Sequence, residues 1–207
     1  MRPIAVLSLS SNNSKSICNS LDSLGLENFA FNQKGKLTKD CKLIVPGIGT
    51  MEAFLGEIKE LELMDEIKSF IGGGGATLGI CLGMQLAGLT SEESPNEELL
   101  SVMDFKVVRF VNEIGKDSRV PHMGWNEVFV TQENFLFQGI ENASNFFFNH
   151  SFAILQESKH QIAESVNGSE KFSCAVVKEN FAGVQFHPEK SQKKGLKLLK
   201  NFSEWDF

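Results

Sequence analysis

Ala76-Thr77-Leu78-Gly79-Ile80-Cys81-Leu82-Gly83-Met84-Gln85-Leu86 is the stretch that decides how this 207-residue chain is read. A short apolar run ends in Gly-x-Cys-x-Gly, and a helix-like run follows at once. Strand, tight turn and helix in that order make a nucleophile elbow, with Cys81 where serine stands in the better-known form. Gly79 and Gly83 lack a Cβ, so the spacing predicts a sharp turn around a strained central residue. Cys81 is expected at the N-terminus of a helix, where unpaired N–H groups and the dipole favour a thiolate. A buried, inert cysteine beside a helix start fits the same run. The rest of the chain decides between the two.

Upstream, Ile4 to Leu9 reads as a buried first strand. Asn12 or Asn13 is placed to cap a helix carrying Ile17, Leu21 and Leu24, with Gly25 closing it. Phe29 to Phe31 and Leu43-Ile44-Val45 are the second and third strands. The third runs into Pro46-Gly47-Ile48-Gly49-Thr50. A Pro-Gly-x-Gly turn can aim backbone N–H groups into a cleft, where they would hold the oxygen of a tetrahedral intermediate. As a dipeptide pattern it is equally an ordinary turn. Met51 to Ile71 carries Phe54, Leu55, Ile58 and Leu61, then Met64, Ile67, Phe70 and Ile71, at helical spacing, so one or two helices are predicted. Gly72 to Gly75 lacks the Lys-Ser/Thr of a phosphate loop and reads as a linker. This alternation predicts a mostly parallel sheet, with the elbow at its carboxyl edge.

After Leu89 the texture changes. Thr90 to Glu98 is an acidic polar loop. Short β-like runs follow at Phe105 to Val111, Trp125 to Val130, Asn145 to Leu155, Ile162 to Val166, Phe172 to Val177 and Ala182 to Phe186. Asn167-Gly168 and Glu179-Asn180 separate some of them as hairpin turns do. Ser191 to Phe202 reads as a basic amphipathic helix that buries Leu196, Leu199 and Phe202, with its lysines solvated.

Gly183-Val184-Gln185-Phe186-His187-Pro188-Glu189 supplies what Cys81 lacks. A strand delivers His187, Pro188 breaks the ladder, and Glu189 follows. A cysteine nucleophile needs a base that takes its proton and returns one to the leaving amine. The base needs an acceptor that holds its tautomer. Cys81, His187 and Glu189 therefore form a complete set for acyl transfer, with His122, His150 and His160 as other imidazoles in the chain.

Composition excludes several classes. The net charge of −6, without a basic block, argues against a nucleic-acid surface. No apolar run approaches the roughly 20 residues that span a bilayer. Met1 to Ser10 has no signal-peptide pattern. Cys18, Cys41, Cys81 and Cys174 lie far apart, so neither a zinc site nor a disulfide framework is expected, and a reduced cytoplasmic setting is. The length suits one α/β domain, read as residues 1–207. There is no tyrosine beside 18 phenylalanines, so no phenol serves as acid, base or donor.

The Gly79–Gln85 and Gly183–Glu189 motifs together resemble the class I (triad) glutamine amidotransferases. Pro121-His122-Met123-Gly124-Trp125-Asn126 and Glu189-Lys190-Ser191 look like the amidotransferase subunits of imidazole glycerol phosphate synthase. The resemblance implies a flavodoxin-like α/β fold, an open and mostly parallel sheet flanked by helices, with added antiparallel strands in the C-terminal half. It implies that Cys81 attacks the glutamine side-chain amide, His187 relays protons and Glu189 orients it. Ile48, Gly49 and Leu82 would form the oxyanion hole. Gln85, Glu93 and Ser151 would hold glutamine. Ammonia would pass to a (β/α)8-barrel cyclase subunit, with Pro121 to Asn126 near that interface. No cofactor or metal is implied.

The sequence departs from the family in Phe146-Phe147-Phe148-Asn149-His150-Ser151-Phe152, where a tyrosine is usual, and in a glycine-poor Pro95 to Asp104. These departures leave open a glutaminase that feeds another synthase, for instance one making an amidine on a sugar. A non-catalytic subunit on the same fold is the reading from another class.

Overall fold

The computed structural model describes residues 2–111, 118–155 and 158–207. Strand and helix alternate through β1 (Ile4–Leu7), α1 (Ser14–Ser23), β2 (Asn28–Phe31), β3 (Lys42–Gly47), α2 (Met51–Glu60), α3 (Met64–Gly72), β4 (Thr77–Cys81) and α4 (Leu82–Gln85). Strands then dominate: β5 (Thr90–Ser91), β6 (Lys106–Arg109), β7 (His122–Val130), β8 (Ser144–His150), β9 (Phe152–Ala153), β10 (Gln161–Asn167), β11 (Glu170–Lys178) and β12 (Phe181–Val184). The chain closes on α5 (Gln192–Glu204).

Among the described residues the main sheet has the order β2-β1-β3-β4-β12-β11-β10-β7-β8. Its first five strands are parallel, and from β12 outward each pairing is antiparallel. β12 is the seam between the two regimes. The chain reaches it last, and it slots in parallel beside β4, with Val184 opposite Ile80. That pairing puts the ends of two distant strands at one sheet edge. β5, β6 and β9 form a small second sheet.

Strands buried on both faces divide their side chains between two cores. Ile4 and Val6 of β1 pack with Ile17, Leu21, Leu198, Leu199 and Phe202, under α1 and α5. Ala5 and Leu7 face the other way, with Phe54, Leu55, Ile58 and Ile67 of α2 and α3. Met51 to Ile71 is two helices, broken where Glu62 takes a φ of 53°.

One choice between alternatives is settled and three local expectations change. Asn13 stands at the N-cap of α1 without capping it. Asn12 takes that work, its Oδ1 accepting from the N–H of Ser14 at 3.1 Å. In α5, Leu198 is buried where Leu196 was expected, because Leu198, Leu199 and Phe202 share the face against the sheet. The Thr90 to Glu98 loop opens with β5, and the Asn145 to Leu155 run breaks at Ser151 between β8 and β9. A buried lysine was not foreseen: Lys42 donates to the carbonyls of Phe202, Ser203 and Trp205, closing the C-terminal end of α5. Burial pushes its ammonium down to about 8. Among the described residues, no helix is long and apolar enough to cross a membrane.

Candidate active site

The elbow forms because β4 lies between β3 and β12, with Cys81 opposite Gly47 at the strand's end. Cys81 itself carries the strain, at φ 55° and ψ −109°. Gly79 and Gly83 admit the turn by lacking a Cβ, as expected, and neither needs a positive φ. They supply space. A Cβ on Gly83 would lie 1.8 Å from the Val45 carbonyl oxygen, and one on Gly79 2.4 Å from the Gly83 carbonyl oxygen. The helix after Cys81 is a single turn, Leu82–Gln85, so its dipole is short and the neighbouring imidazole is the stronger charge partner.

That imidazole is His187, 1% exposed. Its backbone N–H donates to Phe147 O at 2.8 Å, and Ser191 Oγ donates to its carbonyl at 2.6 Å, so β8 and the turn before α5 fix the ring's position. Nδ1 lies 2.9 Å from Glu189 Oε1, and Asn13 Nδ2 donates to the same oxygen at 2.5 Å. A carboxylate on Nδ1 makes that nitrogen the N–H of the neutral ring, leaving Nε2 as the acceptor. Nε2 is buried without a conventional hydrogen-bond partner. Burial opposes charge on this ring, but the Cys81 sulfur and the Glu189 carboxylate outweigh it and hold His187 up at about 10. The arrangement suits an imidazolium that must persist beside a thiolate.

A cavity of about 270 Å³ opens over Cys81. Ile48, Gly49 and Leu82 line it, as do Gln85, Glu93 and Ser151, so the expected oxyanion and glutamine residues converge on one space. Gly49 takes a φ of +84°, which glycine adopts cheaply. Glu93 is half-buried, and burial raises its carboxyl above the usual range. Larger recesses exist, one of about 770 Å³ between Val130 and Asn142, but no cysteine or histidine lines that one. Chemistry, not size, marks the site.

Residues 121–126 divide between two roles. Pro121 reaches the cavity wall, while Met123 and Trp125 face outward at 63% and 49% exposure. His122 turns inward, because alternation along β7 sends it to the face opposite Met123. There its Nδ1 meets His150 Nε2 at 3.0 Å. Engaged in this way, neither ring is free to serve Cys81, and His160 does not line the cavity.

Several side chains at the site carried no signal in the sequence. Asn13 reads as a helix cap and Gln185 as one more strand residue. Asn149 at the end of β8, Phe152 of β9 and Thr50 before α2 complete the cavity wall.

The model of the glutamine amidotransferase class-I family matches residues 6–205, and the chain belongs to that family. It is a glutamine amidotransferase. Over 163 residues, 79% of each chain, it is 47% identical to the imidazole glycerol phosphate synthase subunit HisH of Escherichia coli (strain K12). It is 45% identical to the same-named subunit of Salmonella typhimurium (strain LT2) over the same share. In fold it is similar to a solved glutamine amidotransferase, with a TM-score of 0.74, 21% identity and 97% of each chain covered. It is also similar to the structure of PurLQS from Thermotoga maritima, with a TM-score of 0.74, 17% identity and 99% of each chain covered.

Proposed function

We propose that the chain is the glutaminase subunit of an imidazole glycerol phosphate synthase, working in the cytoplasm beside a (β/α)8-barrel cyclase subunit. The observation that carries this reading is the parallel pairing of β4 with β12, which brings Cys81 and the His187–Glu189 pair to one edge. The relatives named above support the choice of synthase.

In this reading the Cys81 proton passes to His187 Nε2, and the thiolate attacks the side-chain amide carbon of glutamine. The N–H of Leu82 and the N–H of Gly49, carried by the Ile48–Gly49 peptide, hold the negative oxygen. The imidazolium returns its proton to the departing nitrogen, ammonia leaves, and a glutamyl thioester remains on Cys81. Water then attacks the thioester with His187 as base, releasing glutamate. Glu189 keeps the ring's Nδ1–H pointed away from the sulfur. Glu93 and Ser151, which line the cavity, and Gln85, whose Oε1 is buried and unpaired, would hold the amino-acid end of the substrate. Ammonia released here would complete the cyclase reaction that forms imidazole glycerol phosphate and the aminoimidazole carboxamide ribotide.

A second reading, the same glutaminase feeding another synthase, draws on the phenylalanines at 146–148 and 152 in place of a tyrosine. One experiment tests both. The chain is expressed with a tag, its barrel partner is recovered, and glutamate release is measured with that partner's substrate. Cys81→Ser should abolish glutamine-dependent synthesis and spare synthesis from ammonium. Loss of both activities would mean the sulfur is not where nitrogen is released. Recovery of a different acceptor enzyme would favour the second reading.

A further inference from the structure

Gln185 is fully buried one strand away from the elbow, and the triad chemistry gives it no task. Its Nε2 lies 3.5 Å from Cys81 Sγ, a normal distance for an N–H···S hydrogen bond. The orientation of that amide follows from its neighbours. Gln85 Nε2 sits 3.0 Å from the Phe152 carbonyl, which only accepts, so this end of Gln85 must be its NH₂. The same NH₂ lies 3.0 Å from Gln185 Oε1, which fixes that end of Gln185 as the acceptor. The opposite end of Gln185, facing the sulfur, is therefore its NH₂. A backbone carbonyl thus sets, through two amides, which atom meets Cys81.

The geometry points to Gln185 as a further catalytic residue, whose amide N–H donates to the Cys81 sulfur and favours the thiolate over the thiol, with Gln85 as its positioning residue. This rests on the reading of Cys81 as the nucleophile. An N–H aimed at sulfur is worth more to an anion than to a neutral thiol, because a hydrogen bond strengthens when its acceptor is ionised. The other ionisable groups near the sulfur are His187 backed by Glu189, Glu93 across the cavity, and His150. All of them remain when Gln185 is replaced. Gln185 does not line the glutamine cavity, so its effect falls on the nucleophile and not on substrate binding.

The test is the rate of Cys81 alkylation by iodoacetamide in the full-length chain, followed by peptide mass spectrometry between about pH 5 and 10. Gln185→Met keeps the volume and removes the donor. Its alkylation midpoint should rise by about one pH unit, a tenfold drop in thiolate below the midpoint. Gln85→Leu should move the midpoint the same way and less. Below the midpoint, with the partner present, Gln185→Met should lower kcat while KM for glutamine stays within about twofold, whereas general disruption would move both. An unchanged midpoint in folded Gln185→Met overturns the proposal. Should that variant fail to fold, Gln185→Leu also removes the donor, and an unchanged midpoint there overturns the proposal equally. Alkylation of Cys81 that left glutaminase activity intact would instead overturn the reading of Cys81 itself.

Discussion

His122 Nδ1 and His150 Nε2 face each other at 3.0 Å, and the Phe152 carbonyl decides which ring gives the proton. His150 Nδ1 lies 2.8 Å from that carbonyl and must donate to it. In the neutral ring Nε2 then accepts, His122 Nδ1 donates, and His122 Nε2 accepts from Asn126 Nδ2 at 3.1 Å. An added proton on either ring would set donor against donor. Phe110, Phe148 and Phe172 enclose the pair.

A loss of stability in acid follows. Burial pushes His122 down to about 4 and His150 to about 3, from an ordinary value of 6.5. Between those limits the unfolded chain binds protons that the folded chain refuses, so stability is complete above about pH 6.5 and falls as pH drops toward 4 and then 3. Thermal unfolding followed across that window should show a falling Tm. A His122→Phe/His150→Phe double variant should show a flatter one. A wild-type Tm that stays level through the window would refute this assignment.

The hydrogen bond from Asn13 to Glu189 predicts graded losses of glutaminase activity. Glu189→Gln removes the carboxylate that supports the imidazolium, and kcat should fall by roughly a hundredfold or more. Asn13→Ala leaves that carboxylate in place and frees it to rotate, so a loss of about tenfold or less is expected. Steady-state kinetics with the partner present would measure both. An Asn13→Ala enzyme slower than Glu189→Gln would show that Asn13 acts elsewhere.

Two glycines beside Cys81, one in the elbow and one in the loop before α2, should fail in opposite ways. In Gly83→Ala the new methyl would meet the Val45 carbonyl oxygen, and backbone cannot step aside as a side chain can. A stability loss of about 3 kcal/mol or more is expected, or no soluble protein. Gly49 has open space around a Cβ but a φ of +84°. Gly49→Ala should cost only about 1–2 kcal/mol in stability. Its kcat should drop roughly tenfold to a hundredfold, because the oxyanion donors lose their aim. Paired Tm and kcat measurements separate the two outcomes.

What the sequence disclosed was local. The elbow, the Pro-Gly-x-Gly turn and His-Pro-Glu each lie within a few residues, so their chemistry is legible without a fold. The alternation of strand and helix up to Cys81 was legible for the same reason, since both cores show as apolar spacing. Contacts across the chain were hidden. Asn13 meets Glu189 over 176 residues, Gln185 meets Cys81 over 104 and Gln85 meets Phe152 over 67, and the first two follow from β12 inserting beside β4. Which atom crowds Gly83 was hidden too, because the approach of the Val45 carbonyl leaves no trace in that glycine's own neighbourhood.

The isolated chain is expected to hydrolyse glutamine slowly. One of its proposed oxyanion donors, the Gly49 N–H, sits in the loop between β3 and α2, and a donor in a loop acts only once it is aimed. Glutamate release should rise when the barrel subunit and its ligand are added. Equal turnover with and without them would show a loop already in its working position.

Trp125 offers the most direct measure of that partner. It is half-exposed, with its ring edge-on to Phe147 at 6.1 Å, and exposed Met123 stands two residues away on the same strand. The chain's other tryptophan, Trp205, stacks on Phe135 at 4.3 Å, so its surroundings should not change on binding. A Trp205→Phe chain therefore reports from Trp125 alone. Adding the barrel subunit should shift its emission to the blue as water leaves the indole. Trp125→Ala should weaken association by roughly thirtyfold or more, as buried aromatic anchors do. Its Tm should stay near the wild-type value, because the ring leaves no cavity in either core. If association were unaffected while Tm fell, the exposed face of β7 would be a structural surface, and the partner would have to dock elsewhere.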